Sequence, residues 1–360
     1  MGAHFLRRAR TFTAPEPVAT GLTAVAALGS ACAVLMASGA RTAAQFLDPG
    51  ALGPSAAIIR RDFGAGAVPA GRTGYDGQQF YAIARFFPHL SQAARYVDLP
   101  RYRLLRIGAP ALASLAGPGT GIVVALLILN IIGVGLAVAG VADLAARHGR
   151  PGWIGYLAGL PLLEGLTIST PEPLAVGLAM VAVAAADRRR HGTAVALLVG
   201  SALVREAGAV VAVAVALGLL LGPDRPRRRT LAAYLLPGGV LAAWSEVLAH
   251  QVGGAQSIFS RFSPLGLLHA SGPSLAVAIG ALLLGVVATW QWRDVPVVWP
   301  VAAAFGLWIL VYTAATSDWL ALPRAAAPAL VLGTCALGSL AQRSVPFGAP
   351  RLKPLRPRTG

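Results

Sequence analysis

Long runs of apolar residues follow one another along almost the whole chain and are separated by short polar or arginine-rich segments. Many of these runs have 17 to 25 residues, and a helix needs roughly 20 to cross the hydrocarbon core of a bilayer. The runs are continuous rather than alternating, which argues against an outer-membrane barrel. The pattern therefore predicts an all-α protein, a polytopic transmembrane helical bundle.

About ten transmembrane helices are predicted. Eight spans are bounded directly by polar or basic residues, at about 19–40, 119–142, 153–168, 174–186, 231–250, 274–292, 296–315 and 325–341. The predicted organisation is a basic N-terminus (1–18), one transmembrane domain (19–341) and a basic tail (342–360). Within the domain, 41–118 forms a long extracytoplasmic loop.

The run at 193–222 fits one long helix or two short ones. One helix would place the basic segments 187–191 and 223–229 on opposite sides of the membrane, against the positive-inside bias. Division at Arg205-Glu206 puts both segments in the cytoplasm and moves the charged pair from the costly mid-membrane region to the outer surface. We therefore predict two helices here.

Composition supports a membrane location. The chain is 56% hydrophobic, only 12% of its residues are charged, and its formal net charge is +16. Arginines cluster beside apolar runs, which indicates a multi-pass protein of the cell (inner or plasma) membrane with both termini cytoplasmic, rather than a nucleic-acid-binding protein. Cys32 and Cys335 lie in apolar runs at opposite ends of the chain, and Lys353 is the only lysine, so no Walker A loop is present.

In this topology, charged residues from distant segments converge on the outer face: Asp76, Asp98, Glu172, Arg205, Glu206, Asp318 and Arg324. Such convergence is what an extracytoplasmic active site needs. Glu172 also has a structural explanation, because "STPEP" (169–173) is typical of a helix start. Arg205-Glu206 is equally compatible with an internal ion pair.

The long loop contains "GYDGQQFYAIA", in which Gly74 and Gly77 flank Tyr75-Asp76. Glycine permits backbone conformations that direct a short side chain into a cleft. The amide of Gln78 and the ring of Tyr81 suit sugars, which have polar rims and apolar CH faces. Turn chemistry alone is the structural alternative for Asp76.

Arg101, Arg103 and Arg106 follow Asp98 just before the second span. Arginine binds phosphate bidentately, and the phosphates at an outer membrane interface belong to lipid headgroups or to a polyprenyl phosphate. Simple snorkelling toward headgroups is the alternative. The following "RIGAPALASLAG" (106–117) is compatible with an amphipathic helix in the interface.

The predicted layout consists of one helix, a long external loop that carries an Asp, and then a bundle of many helices. This layout resembles the GT-C superfamily of integral-membrane glycosyltransferases. More closely, "GYDGQQFYAIA", "VDLPRYRLLRIGAPALA", "STPEPLAVGLAM", "LVREAGAVV" and "PRAAAPALVL" look like a bacterial family associated with cell-surface glycopolymer formation, with a G-Y-D-G-Q-x-[FY] motif. The resemblance covers roughly residues 70 to 335.

The resemblance implies roles for particular residues. Asp76 would be the general base or would orient the acceptor hydroxyl, and Asp98 or Glu172 would be the second acid. The phosphate of the donor would be held by Arg101, Arg103, Arg106 and Arg205, with Arg324 joining them. Substrate contacts would come from Tyr75, Gln78, Tyr81 and Glu206. Asp76 has no acidic neighbour, unlike the paired acids common in GT-C loops, so no metal ligand is assigned and a divalent cation (Mg²⁺ or Mn²⁺) is left open.

The implied function is transfer of a sugar from a polyprenyl-phosphate donor to a cell-envelope glycan or lipid acceptor on the extracytoplasmic face. Membrane lipids are expected partners, and nucleic acid is not. Two alternatives stay open. A transporter or flippase for a lipid-linked glycan would need inverted repeats or midplane charges, and a non-catalytic component of a polymer-assembly complex would tolerate loss of Asp76.

Overall fold

The computed structural model describes residues 17–223, 225–253, 272–304 and 331–336. These residues form helices and turns. Within those ranges the structure contains no β-strand, and an isolated bridge joins Pro49 to Gly74. The all-α prediction is therefore confirmed for the described part of the chain.

Fifteen α-helices are defined over the described residues, some of them a single turn long. In chain order they are α1 Pro17–Ala37, α2 Ala56–Phe63, α3 Asp76–Phe86, α4 Leu90–Ala93, α5 Pro100–Leu105, α6 Gly108–Ala113, α7 Thr120–Arg147, α8 Ile154–Leu157, α9 Leu163–Thr167, α10 Glu172–Asp187, α11 His191–Val204, α12 Ala207–Leu221, α13 Arg228–Ala233, α14 Leu236–Val252 and α15 Gly272–Gln291.

Three helical segments in the described ranges are long and apolar enough to cross a membrane: α1, α7 and Arg228–Val252, which joins α13 to α14. Val18, Leu22 and Val34 project from α1 with more than 60% of their surface exposed, as expected for side chains that face lipid. These helices indicate a membrane protein. The ten-span bundle is not established by them, since several other apolar helices, among them α11 and α12, are shorter.

The predicted break at Arg205 is present. Arg205 adopts an extended conformation (φ −156°, ψ 135°) between α11 and α12, which pack against each other. These two helices have 14 and 15 residues, so each is only about 21–23 Å long. They are therefore short for the roughly 30 Å hydrocarbon layer.

The predicted span at 153–168 is also interrupted. It consists of α8, a 3₁₀ turn over Leu160–Leu162 and α9. Pro161 lies in the middle of that turn, where its ring and missing N–H oppose a continuous α-helix. By contrast, α10 begins at Glu172 and α7 at Thr120, close to the predicted starts.

The bundle core is built on close helix contacts at small residues. A Cβ atom on Gly133 of α7 would lie 2.4 Å from the backbone of Leu174, and one on Gly177 of α10 would lie 2.1 Å from the Gly133 carbonyl oxygen. On the other side of α7, a Cβ on Gly21 of α1 would lie 2.7 Å from the Gly135 oxygen. Small residues thus let α1 and α10 approach the backbone of α7, as is common between membrane helices.

The segment between α1 and α7 has its own apolar core, which packs onto the first turns of α7. Its members include Phe46, Leu47, Ile58, Ile59, Phe80, Ile83 and Leu104, together with Ile122, Val123, Leu126 and Leu127 of α7. The segment 41–119, which carries the Gly-Tyr-Asp-Gly motif, is therefore a packed unit, and we call it the extramembrane unit after its predicted location.

Several predicted features lie outside the described residues. They are the segments 1–16 and 342–360, most of the spans 296–315 and 325–341, and the outer-face residues Asp318 and Arg324.

Candidate functional site

The Gly-Tyr-Asp-Gly motif forms the start of α3, held by hydrogen bonds from the backbone and from Gln78. Gly74 has φ +74°, a conformation that favours glycine. The Tyr75 N–H donates to the Asp48 carbonyl (2.8 Å). The buried amide of Gln78 accepts from the Gly50 N–H (3.3 Å) and donates to the Thr73 carbonyl (2.8 Å). Both side-chain functions of Gln78 are thus used in shaping the turn.

Gly77 brings this turn against the loop before α10. A Cβ atom at position 77 would lie 2.1 Å from the carbonyl oxygen of Ile168, so no larger residue fits without a shift. Ile168 directly precedes the "STPEP" segment. The motif that contains Asp76 and the segment that contains Glu172 are therefore in direct contact, although about a hundred residues of chain separate them.

Asp76 pairs with Arg103, which is shared with Asp98. The Arg103 Nη1 lies 2.9 Å from Asp76 Oδ1, and its Nε lies 2.6 Å from Asp98 Oδ1. The Asp98 N–H donates to Gln79 Oε1 (2.9 Å). The Arg103 side chain is 10% exposed, against 19% for Asp76 and 46% for Asp98. A buried guanidinium is thus held between an inner and an outer carboxylate.

The buried side chains of Arg106 and Arg205 form two further ion pairs. Arg106 donates to both oxygens of Glu206 (2.7 and 2.9 Å) and to the Tyr102 hydroxyl. Arg205 donates to Glu172, and both of these side chains are more than 90% buried. Arg205 and Glu206 are consecutive, so the two pairs meet at the break between α11 and α12.

We call these seven residues the charged cluster: Asp76, Asp98, Arg103, Arg106, Glu172, Arg205 and Glu206. Three arginines face four carboxylates, which gives the cluster one net negative charge when all seven are ionised. Four separate segments of the chain supply its members.

The pKa values show that the ion pairs outweigh the cost of burial. Burial by itself would raise the pKa of Glu206, but Arg106, and to a smaller extent Arg205, lower it to about 2. Burial likewise opposes the charged form of Arg106, yet Glu206, Tyr102 and the more distant Glu172 raise its pKa. Burial also opposes the charged form of Arg103, and Asp76 and Asp98 raise its pKa.

Two predicted site residues are held by contacts outside the cluster. Arg101 donates to the carbonyl and hydroxyl oxygens of Ser245 (3.3 and 3.2 Å), which attaches α5 to α14. Tyr81 is fully buried, and its hydroxyl donates to Asp62 (2.5 Å) and accepts from the Gly119 N–H (3.0 Å). Substrate contact by Tyr75, Gln78 and Tyr81 stays a prediction, and Arg324 lies outside the described residues.

Sequence reasoning missed Asp62, which contacts Tyr81 and Arg85 (3.2 Å). No local pattern marks it, because its partners lie about 20 residues away. Ser169 and Thr170 were considered only as part of the helix start "STPEP", and neither side chain caps α10. Their buried hydroxyl oxygens have no hydrogen-bond partner within the described ranges. Both residues lie in the chain between Ile168, which contacts Gly77, and Glu172.

A metal site has no direct support in the part of the chain that the structure describes. Those residues include no group of three or more His, Cys, Asp or Glu side chains placed to hold a metal ion.

Comparison of the chain with protein-family models, with curated proteins and with solved structures finds no match. The resemblance to GT-C glycosyltransferases stays a prediction that depends on the motifs themselves.

Proposed function

We propose that this protein is a GT-C-like membrane glycosyltransferase with about ten spans and cytoplasmic termini, acting at the extracytoplasmic face of the plasma membrane. It would transfer a sugar from a polyprenyl-phosphate donor to a cell-envelope glycan or lipid acceptor. The observation that carries the proposal is the 2.9 Å contact between Asp76 and Arg103. A candidate base and a candidate phosphate-binding group thus stand side by side.

The proposed step needs both groups. The acceptor hydroxyl oxygen bonds to the anomeric carbon while the bond from that carbon to the phosphate oxygen breaks. The leaving lipid phosphate keeps the electron pair, and Asp76 takes the hydroxyl proton. Arginines that hold the phosphate stabilise the charge that develops on it, and a positioned base typically contributes a factor of about 10²–10⁴.

The unequal exposure of the two acids on Arg103 suggests how a phosphate would enter. Asp98 is 46% exposed and Asp76 19%. A donor phosphate would therefore displace the outer carboxylate, Asp98, and leave the inner one in place as base. Leu112 and Leu115, which follow α5, are 52% and 84% exposed and are suited to contact with the bilayer from which a lipid donor comes.

A non-catalytic assembly component is the second candidate, and one observation favours it. Each arginine of the cluster already contacts a carboxylate. Such a set of pairs would also serve to fasten the extramembrane unit to the bundle. In that case loss of Asp76 would alter stability and leave any transfer reaction unaffected.

Asp76→Asn separates the two candidates. The full-length protein, purified into lipid nanodiscs, would be incubated with a panel of polyprenyl-phosphate monosaccharides carrying a radiolabelled sugar and with envelope extract as acceptor. We expect transfer by the wild type and a loss of about 100-fold or more in the variant. Asp294→Asn makes the same chemical change at a residue that is 86% exposed and should leave transfer unchanged.

Folding is checked by size-exclusion elution and by the thermal midpoint. A folded Asp76→Asn protein with full activity would reject the base assigned here. A wild type that transfers no sugar from any donor in the panel would instead favour the assembly component.

A further inference from the structure

A cavity of about 730 Å³ lies in the extramembrane unit, apart from the charged cluster, with which it shares no lining residue. Its walls are the segment 40–45 after α1, Asp48 and Pro49, the turn from Phe63 to Pro69, Arg72 and Thr120. Its size falls within the usual range for small-ligand sites.

The packing of α1 on α7 brings the C-terminal end of α1 and the N-terminal end of α7 together beside this cavity. Gly21 of α1 contacts Gly135 of α7. The end of α1 at Ala37 is 16 residues after Gly21, and the start of α7 at Thr120 is 15 residues before Gly135. The two helix ends are therefore level with each other. Thr120 lines the cavity and so does Ala40, which follows the end of α1, so a bilayer spanned by these two helices would have its headgroups level with the cavity.

The charges around the cavity favour an anion. The Arg41 guanidinium lies 4.6 Å from the Phe46 ring centre and donates to the Gln45 carbonyl (3.0 Å). It takes part in no ion pair among the residues that the structure describes. Arg72 contacts Asp48 (2.9 Å) and is 57% exposed. Two arginines and one aspartate leave one net positive charge.

Beside the charged residues, the lining combines apolar side chains, from Phe63, Ala67, Pro69 and the alanines of segment 40–44, with the polar side chains of Thr42, Gln45 and Thr120. A free inorganic ion would use the arginines and leave the apolar side chains without a contact. A ligand with a phosphate next to hydrocarbon would use both kinds of surface.

We propose that this cavity binds the phosphate group of a membrane lipid. The site is independent of the proposed transfer reaction. Its wall is nonetheless continuous with the Gly-Tyr-Asp-Gly turn, because the Asp48 carbonyl accepts from the Tyr75 N–H and the Gly50 N–H donates to Gln78.

The test compares two double variants of the full-length protein in detergent. Arg41→Gln/Arg72→Gln removes the arginines of the cavity. Arg60→Gln/Arg61→Gln removes the same charge from exposed positions on α2 that do not line it. Binding of dihexanoyl phosphatidylglycerol, geranyl phosphate and inorganic phosphate is measured by native mass spectrometry or thermophoresis.

We expect saturable binding of at least one of the two phosphate lipids, which would also show whether a diester or a prenyl monoester is preferred. Binding should weaken about tenfold or more in the cavity variant and stay unchanged in the α2 variant. Arg41→Gln alone, which keeps the Arg72–Asp48 pair, should show part of the loss if the double variant is unstable.

Three results would overturn the proposal. Equal weakening in both double variants would mean a general attraction to positive charge. Unchanged binding in the folded cavity variant would place the lipid elsewhere. Inorganic phosphate that binds as tightly as either lipid would identify the ligand as a free anion.

Discussion

The guanidinium of Arg106 donates to both carboxylate oxygens of Glu206, at 2.7 and 2.9 Å, although 100 residues separate the two along the chain. Arg106 is 2% exposed and Glu206 30%. This pair fastens the end of α5 to the break between α11 and α12. It therefore couples the extramembrane unit to the part of the bundle that supplies Arg205.

Removal of Arg106 alone should be strongly destabilising, because Glu206 then loses the partner that offsets its burial. We expect Arg106→Met to lower the free energy of unfolding by roughly 2–4 kcal/mol. Arg106→Met/Glu206→Gln should recover part of that loss, since no unpaired charge remains. Denaturant unfolding in detergent, analysed as a double-mutant cycle, measures the coupling. Additive losses would show that the pair contributes nothing of its own.

Low pH should reduce the stability of the folded protein because Glu206 becomes protonated. The pKa of this residue is about 2 in the folded protein against an ordinary value of 4.5, so the unfolded chain takes up a proton first as the pH falls. The stability that Glu206 contributes is complete above pH 4.5 and declines between about 4.5 and 2, by at most about 1.4 kcal/mol per pH unit. Thermal midpoints of the wild type and Glu206→Gln should converge over this window. Parallel curves would contradict the shift.

Gly77→Ala tests the contact between the motif and the segment before α10. The added methyl group would overlap the Ile168 carbonyl, and overpacking of this kind costs about 1–3 kcal/mol. Gly29→Ala is the matched control, because Gly29 is also helical but has open space around its Cβ position. That control should be neutral or slightly stabilising. Equal midpoints for the two variants would show that the motif is not docked there.

Tyr81→Phe tests the hydroxyl that joins α3, α2 and the start of α7. Loss of its bonds to Asp62 and the Gly119 N–H should cost about 1–3 kcal/mol, because the acceptor and donor left behind are partly buried. Tyr96→Phe keeps the ring stacked on Phe86 (4.8 Å) and should change the midpoint little. If Tyr81→Phe is equally stable but impaired only in transfer, the hydroxyl contacts substrate instead.

The side on which the cluster lies can be measured with reporter fusions after residues 170, 190, 206 and 226. The break between α11 and α12 predicts external reporters at 170 and 206 and internal reporters at 190 and 226, because the basic segments stay in the cytoplasm. Reporters at 190 and 226 on opposite sides would require one spanning helix over 191–221. That result would place Arg205 within the membrane.

The helical class, the membrane character and the approximate ends of several long helices, such as α1 and α10, were accessible from the sequence, because each depends on local properties. Residue hydropathy, the arginine clusters and the Arg205-Glu206 pair are visible in short windows. The interruption around Pro161 was not foreseen, although proline disfavours a continuous helix, because the apolar run through 153–168 appeared long enough for a span.

The choice of partners within the candidate site required the structure. The sequence suggested that Asp76, Asp98, Glu172 and several arginines share one face, yet it gave no means of pairing them. Arg101, Arg103 and Arg106 look equivalent in the sequence. In the structure Arg101 contacts Ser245, Arg103 contacts Asp76 and Asp98, and Arg106 contacts Glu206. The partners differ because the three side chains leave α5 and its C-terminal end in different directions.

By itself, the sequence determined that this chain is helical, apolar and suited to a membrane, because these properties follow from the periodicity and transfer free energy of neighbouring residues. Only the tertiary structure decided which charges neutralise one another and that Gly77 lies against Ile168. The Arg106–Glu206 and Gly77–Ile168 contacts join residues that are about a hundred positions apart, and their geometry depends on how α7, α10 and the extramembrane helices pack together.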